Sequence, residues 1–107
     1  MRKVANSSCI KTSCYFFNFI NSNNIDNLVV LTGDIHTSWA NDLPGSGYSS
    51  SSGSGSVGVE FVTPSVTSPG ADFGGGIGAA AIQTFNSHMK FVDLTEHGFY
   101  ECKSDRR

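Results

Sequence analysis

The stretch Leu28–Asp42, Leu-Val-Val-Leu-Thr-Gly-Asp-Ile-His-Thr-Ser-Trp-Ala-Asn-Asp, constrains this chain more than any other. The aliphatic run from Leu28 to Thr32 has the pattern of a strand buried on both faces. Gly33 ends it and lets the chain turn, and Asp34 and His36 follow at once. In open α/β sheets, the groups just beyond a strand's carboxyl end are the ones that meet ligands. On an extended backbone, a carboxylate and an imidazole one residue apart share a face. That is the start of a metal site, and two ligands do not complete one. The residues alone leave two other readings open: Asp34 as an Asx-turn residue after Gly33, and His36 as a partly buried, hydrogen-bonded histidine.

A chain of 107 residues holds one small domain. Charged residues are only 15%, and the difference is made up by Gly, Ser, Asn and Thr, so part of the chain is expected to be loop. A net charge of -2 gives no electrostatic reason for a nucleic-acid or membrane-surface partner. No apolar run approaches the ~20 residues that span a bilayer. Met1–Val4 is followed by Asn, Ser, Lys and Thr rather than the apolar segment of a signal peptide, so none is read here. Cys9, Cys14 and Cys102 are odd in number and lack the spacing of a zinc site. They read as free thiols, with a Cys9–Cys14 disulfide or a redox role as the alternative.

Residues 1–15 read as a weak leader, with a turn at Asn6–Ser8, and residues 16–102 as the folded part. Phe16, Phe19 and Ile20 have the i, i+3, i+4 spacing of a helix face, which Asn21–Asn24 ends. Thr37–Leu43 reads as a second strand or an extended loop. Residues 48–56 are nearly all Ser and Gly and read as a flexible exposed loop. Val57, Val59 and Phe61 alternate on one face of a third strand, with Glu60 opposite in a surface ion pair. Ser65, Thr67 and Ser68 cap the next helix or line a rim. Gly74–Gly76 breaks regular structure, and Ile77–Phe85, with Ala79–Ala81, reads as a short helix. Met89–Leu94 is a strand, Glu96–Gly98 a hairpin turn that exposes His97, and Phe99–Cys102 a returning strand. Residues 103–107 form a charged tail. The sum is four or five strands and two helices, an α/β (α+β) chain with antiparallel pairing at its C-terminal end.

Asn27–Asp42 resembles the C-terminal metal-binding stretch of PhoD-like alkaline phosphatases, members of the calcineurin-like metallophosphoesterases. Val59–Gly70, Asn86–Leu94 and Glu96–Tyr100 resemble the family's following blocks in order and spacing. One departure is Ser87, where proline is expected.

The resemblance implies the C-terminal part of a four-layer αββα sandwich with a metal centre at the strand ends. It implies hydrolysis of phosphate mono- and diesters outside the cytoplasm. It assigns Asp34 and His36 as metal ligands, with the aspartate favouring hard cations such as Ca(II) and Fe(III). Asp42, Asn41 and His88 are the candidates for a supporting shell or substrate rim, and Asp42 or a backbone carbonyl for the acceptor of His36's second ring nitrogen. The family's other ligands lie upstream, and no motif in Met1–Asn27 supplies them. The chain therefore reads as a phosphoric ester hydrolase fragment, inactive by itself, whose unpaired sheet edge invites association. The alternative is a non-catalytic product or a binding module with a Gly/Ser spacer.

Overall fold

The computed structural model describes residues 7–70 and 75–103. Its elements in order are α1 (Ser7–Ser22), β1 (Val29–Thr32), β2 (Ser38–Pro44), β3 (Ser56–Val62), α2 (Gly75–Phe85) and β4 (Met89–Asp93). The four strands form one mixed sheet in the order β1-β3-β2-β4. β1 runs parallel to β3, and β2 runs antiparallel to both β3 and β4. β1, β3 and β4 thus point the same way, and their carboxyl ends share one rim of the sheet.

α1 ends where the asparagines predicted, and the mechanism is a Schellman cap. Ile25 N donates to Ile20 O (3.1 Å) and Asn24 N to Asn21 O (3.2 Å), while Asn24 takes the left-handed turn at φ 49°. Of the apolar face expected on this helix, only Ile20 is buried; Phe16 and Phe19 are 46% and 60% exposed. The helix reaches back to Ser7, through the turn expected at Asn6–Ser8 and through the expected end of the leader. Residues 1–6 lie outside the described part.

The β2–β3 connection is a closed hairpin loop rather than a free spacer. Gly45 N donates to Gly55 O (2.9 Å) and Ser49 N to Ser54 O (2.8 Å). A β-bulge between Ala40 and Asn41 leaves Lys90 of β4 unpaired. The Lys90 ammonium donates to Ser50 O (2.5 Å) and lies 3.6 Å from Asp42 Oδ2. Tyr48 Oη donates to the same carboxylate oxygen (2.7 Å). Serine and glycine supply no hydrophobic anchor, so one tyrosine and one lysine from the neighbouring strand hold the loop.

Several local expectations change. α2 begins at Gly75, so Gly75 and Gly76 form its first turn instead of breaking it; Gly74 lies outside the described part. Residues 99–102 form no strand. The C-terminal antiparallel pairing is that of β4 with β2, and the following chain folds back over the sheet through side chains. Tyr100 Oη meets Ser38 Oγ at 2.5 Å and donates to Trp39 O (3.2 Å), and its ring lies 5.6 Å from that of Phe61. Glu60 accepts from Asn41 Nδ2 (2.9 Å), so it is part of a cross-strand hydrogen bond rather than a surface ion pair. Cys14 and Cys102 are free and exposed. The side chain of Cys9 and the tail 104–107 lie outside the described part.

Among the described residues the buried hydrophobic side chains are Ile20, Val92 and Leu94. One face of the sheet is only partly covered, by Tyr100 over Phe61. The register places Leu31, Phe61, Ala40 and Phe91 in a single apolar row across all four strands, with Leu31 69% and Phe91 47% exposed. Sheets bury such a face against a second layer.

Candidate functional site

Three loops leave the shared rim: Gly33–Thr37 after β1, Thr63–Gly70 after β3, and Leu94–Phe99 after β4. The first is anchored on both sides. Thr63 donates to Thr32 O from its amide (2.9 Å) and its hydroxyl (2.7 Å), extending the β1–β3 pairing to the residue before Gly33. On the other side Thr37 is buried and accepts from the Trp39 indole. Between these anchors Asp34 and His36 are exposed.

The turn here is not made by the glycine. Asp34 (φ 77°) and His36 (φ 61°) occupy the left-handed region, whereas Gly33 does not. The extended-backbone argument that put both side chains on one face therefore does not apply. A non-glycine residue held in that region costs on the order of 1–3 kcal/mol, and such residues cluster at functional sites. Asp and His are among the side chains that tolerate it best.

The ring of His36 has a defined partner. Its Nδ1 lies 3.3 Å from Pro69 O. A carbonyl only accepts, so Nδ1 carries the proton and the Nε2 lone pair is free for a metal. Of the two acceptors expected for this ring, the backbone carbonyl is the one present. Gly70, next in the chain, is wedged against backbone: a Cβ there would lie 2.4 Å from Leu94 O and 3.3 Å from His36 O.

The expected supporting residues are elsewhere. Asp42 sits toward the far end of β2, bound to Tyr48 and Lys90, so it is not the acceptor for His36. It lines a cavity of 320 Å³ with Ile20, Asn24, Asp26, Asn27 and Val59, at the end of the sheet opposite the rim. His88 belongs to the turn before β4 and presents its carbonyl to Asp42 N (2.8 Å), also at that far end. Asn41 is buried within the sheet, and its Oδ1 has no hydrogen-bond partner among the described residues. The structure thus separates Asp42, Asn41 and His88 from the Asp34–His36 loop, because the direction of β2 carries them away from it.

His97, expected only as an exposed turn residue, is at the rim instead. It is exposed, but its Nε2 donates to Ser68 O (2.9 Å). The sequence signal was its place just past a strand; that this strand runs parallel to β1 is a property of the fold. Near it, Asp93 accepts from the amides of Thr95 and Glu96 (2.9 Å each), and these two bonds hold its carboxyl below the usual range.

Among the described residues no three His, Cys, Asp or Glu side chains converge on a metal position. Asp34 and His36 offer donor types suited to one, a hard oxygen and an oriented imidazole.

Comparisons with known proteins give the family of the chain. The chain is 39% identical over 85 residues to alkaline phosphatase D of Bacillus subtilis (strain 168), a match covering 79% of this chain and 14% of that protein. A solved structure of PhoD superposes with a TM-score of 0.61 at 37% identity, covering 78% of this chain and 16% of that one. The chain therefore spans about a seventh of the length of these relatives. The sequence model of the PhoD-like phosphatase matches residues 10–107, nearly the whole chain, and the chain belongs to the PhoD-like phosphatase family.

Proposed function

We propose that this chain carries one side of the metal centre of a phosphoric ester hydrolase, with Asp34 and His36 as ligands. The observation that carries the reading is the ring of His36. Its Nδ1 is committed to Pro69 O, which leaves Nε2 as the ligating nitrogen, on a strained loop at a strand's carboxyl end. Asp34 offers a hard anionic oxygen beside it, a donor set suited to Ca(II) and Fe(III). Metal bound there would supply Lewis-acid polarisation of a phosphate mono- or diester and activation of water for in-line attack. The protein's part is to hold the two ligands in place. The β1–β3 extension at Thr63 and the burial of Thr37 anchor the loop on both sides.

The chain covers 14% of the alkaline phosphatase D it matches, and a second, compatible part of the proposal is that residues 1–107 alone do not turn over substrate. The remaining ligands belong to the part of a PhoD-like phosphatase that this chain does not span. By analogy with the family the complete enzyme works outside the cytoplasm. No helix among the described residues is long and apolar enough to cross a membrane.

The test is a chimera in which residues 16–102 replace the matching segment of the Bacillus alkaline phosphatase D. It should hydrolyse p-nitrophenyl phosphate and bis-p-nitrophenyl phosphate and retain metal, whereas Asp34→Asn and His36→Ala should lose both. Unchanged rates and metal content in those two variants would refute the assignment and favour a binding module.

A further inference from the structure

We propose that His97 is a substrate-contacting residue of this site, presenting its free ring nitrogen to a phosphoryl oxygen. The proposal rests on the phosphoesterase reading above and adds a residue to it.

The geometry begins with Thr63–Gly70, which acts as a clamp on two histidines. Ser68 O accepts from His97 Nε2 and the next carbonyl, Pro69 O, accepts from His36 Nδ1. Adjacent residues have Cα atoms about 3.8 Å apart, so one short piece of backbone holds both rings. The clamp is fixed internally and on both flanks. Ser65 Oγ donates to Ser68 O, and Gly98 N donates to Ser65 O (3.2 Å). Gly70 fills the space between Leu94 O and His36 O, with no room for a side chain. The loops carrying the two histidines leave the carboxyl ends of β1 and β4, which point to the same rim.

The protonation pattern follows from the acceptors. Because Ser68 O can only accept, Nε2 of His97 carries a proton, and Nδ1 is the nitrogen left for a ligand. A ring that also carries a proton on Nδ1 donates Nδ1–H to a phosphoryl oxygen. The ring borders a concavity of 130 Å³ lined by Ser38, Pro64, Phe91, Glu96 and Phe99, which has room for a phosphoryl group. Asp93 also lines it, but its carboxylate is occupied by the amides of Thr95 and Glu96.

Two experiments test this. In the chimera, His97→Phe should raise KM for bis-p-nitrophenyl phosphate, and the calorimetric Kd for inorganic phosphate, about tenfold, as for loss of one hydrogen bond to a charged acceptor. Metal content and kcat should change little, and His97→Gln, which keeps an N–H donor, should recover part of the loss. Unchanged KM and phosphate Kd in His97→Phe would overturn the proposal; so would a fall in metal content with kcat, which would make His97 a structural or metal-directed residue. In the 107-residue chain itself, imidazole ¹⁵N spectra should show the His97 proton on Nε2 and the His36 proton on Nδ1. A neutral His97 ring protonated on Nδ1 overturns the clamp whether or not the chimera folds. Failure of the metal reading is distinct: it appears as metal retained in Asp34→Asn and His36→Ala, independently of phosphate affinity.

Discussion

Replacing Gly70 with alanine should destabilise this fold and free the His36 ring together. Gly70 is not in the left-handed region, so alanine meets no backbone strain there; the cost is steric. The new Cβ would lie 2.4 Å from Leu94 O, 3.3 Å from Leu94 C and 3.3 Å from His36 O. All three are backbone atoms, so no side-chain rotation relieves the overlap. Overpacking of this kind costs about 1–3 kcal/mol, and a domain of this size loses roughly 4–8 °C of Tm per kcal/mol. A fall of about 4–24 °C is therefore expected in circular-dichroism melting of the 107-residue chain. The hydrogen bond from His36 to Pro69 is already long at 3.3 Å, so a shift of a few tenths of an ångström breaks it. The His36 Nδ1–H should then exchange rapidly with solvent. Gly98→Ala is the control: a Cβ there meets nothing within 4 Å, its φ is not left-handed, and its Tm should hold or rise slightly. Equal melting temperatures for the two variants, with His36 still protected in Gly70→Ala, would refute the clamp geometry.

Other outcomes follow from the same contacts. Asp34→Gly relieves a left-handed φ of 77° and should stabilise the metal-free chain by about 0.5–1 kcal/mol in urea titrations, while removing metal-dependent turnover in the chimera. Asp93's lowered pKa means that its contribution to stability is present above its usual value of 3.8 and lost as pH falls through the lower folded value. In acid titrations followed by NMR, the amides of Thr95 and Glu96 should move with that carboxyl, and Asp93→Asn should abolish the shift. Desolvation and the bond to Asp42 raise the Tyr48 phenol, so its contribution holds below pH 10.0 and is lost as pH rises through the raised value. Tyr48→Phe should remove that alkaline sensitivity and speed proteolysis within Ser49–Ser56. Leu31→Lys, on the exposed apolar row of the edge strand, should reduce self-association in sedimentation velocity.

Much of this molecule was legible before its fold. The cap at Asn21–Asn24, the strands around Val29–Thr32 and Val57–Val62, the helix over the alanines and the strand from Met89 are local events. They are set by periodicity, turn chemistry and residue propensity within a few positions. The family was legible too, because its blocks stand in order along the chain. The strand expected at Phe99–Cys102 failed for a physical reason: an aromatic run fits a strand, but it also fits a strap that packs Tyr100 on Phe61 and bonds it to Ser38.

By itself the sequence determined the α/β class and the family, since each follows from neighbours in the chain or from the order of motifs, and it pointed to Asp34 and His36 as a candidate pair. Only the tertiary structure decided what surrounds that pair. Strand direction is a pairing choice between distant segments. It sends Asp42 and His88 to the far end of the sheet and brings Pro69 and His97 to the rim. The turn at the site follows the same rule: Gly33 signals a bend, but packing against Thr63 and burial of Thr37 place the left-handed residues at Asp34 and His36.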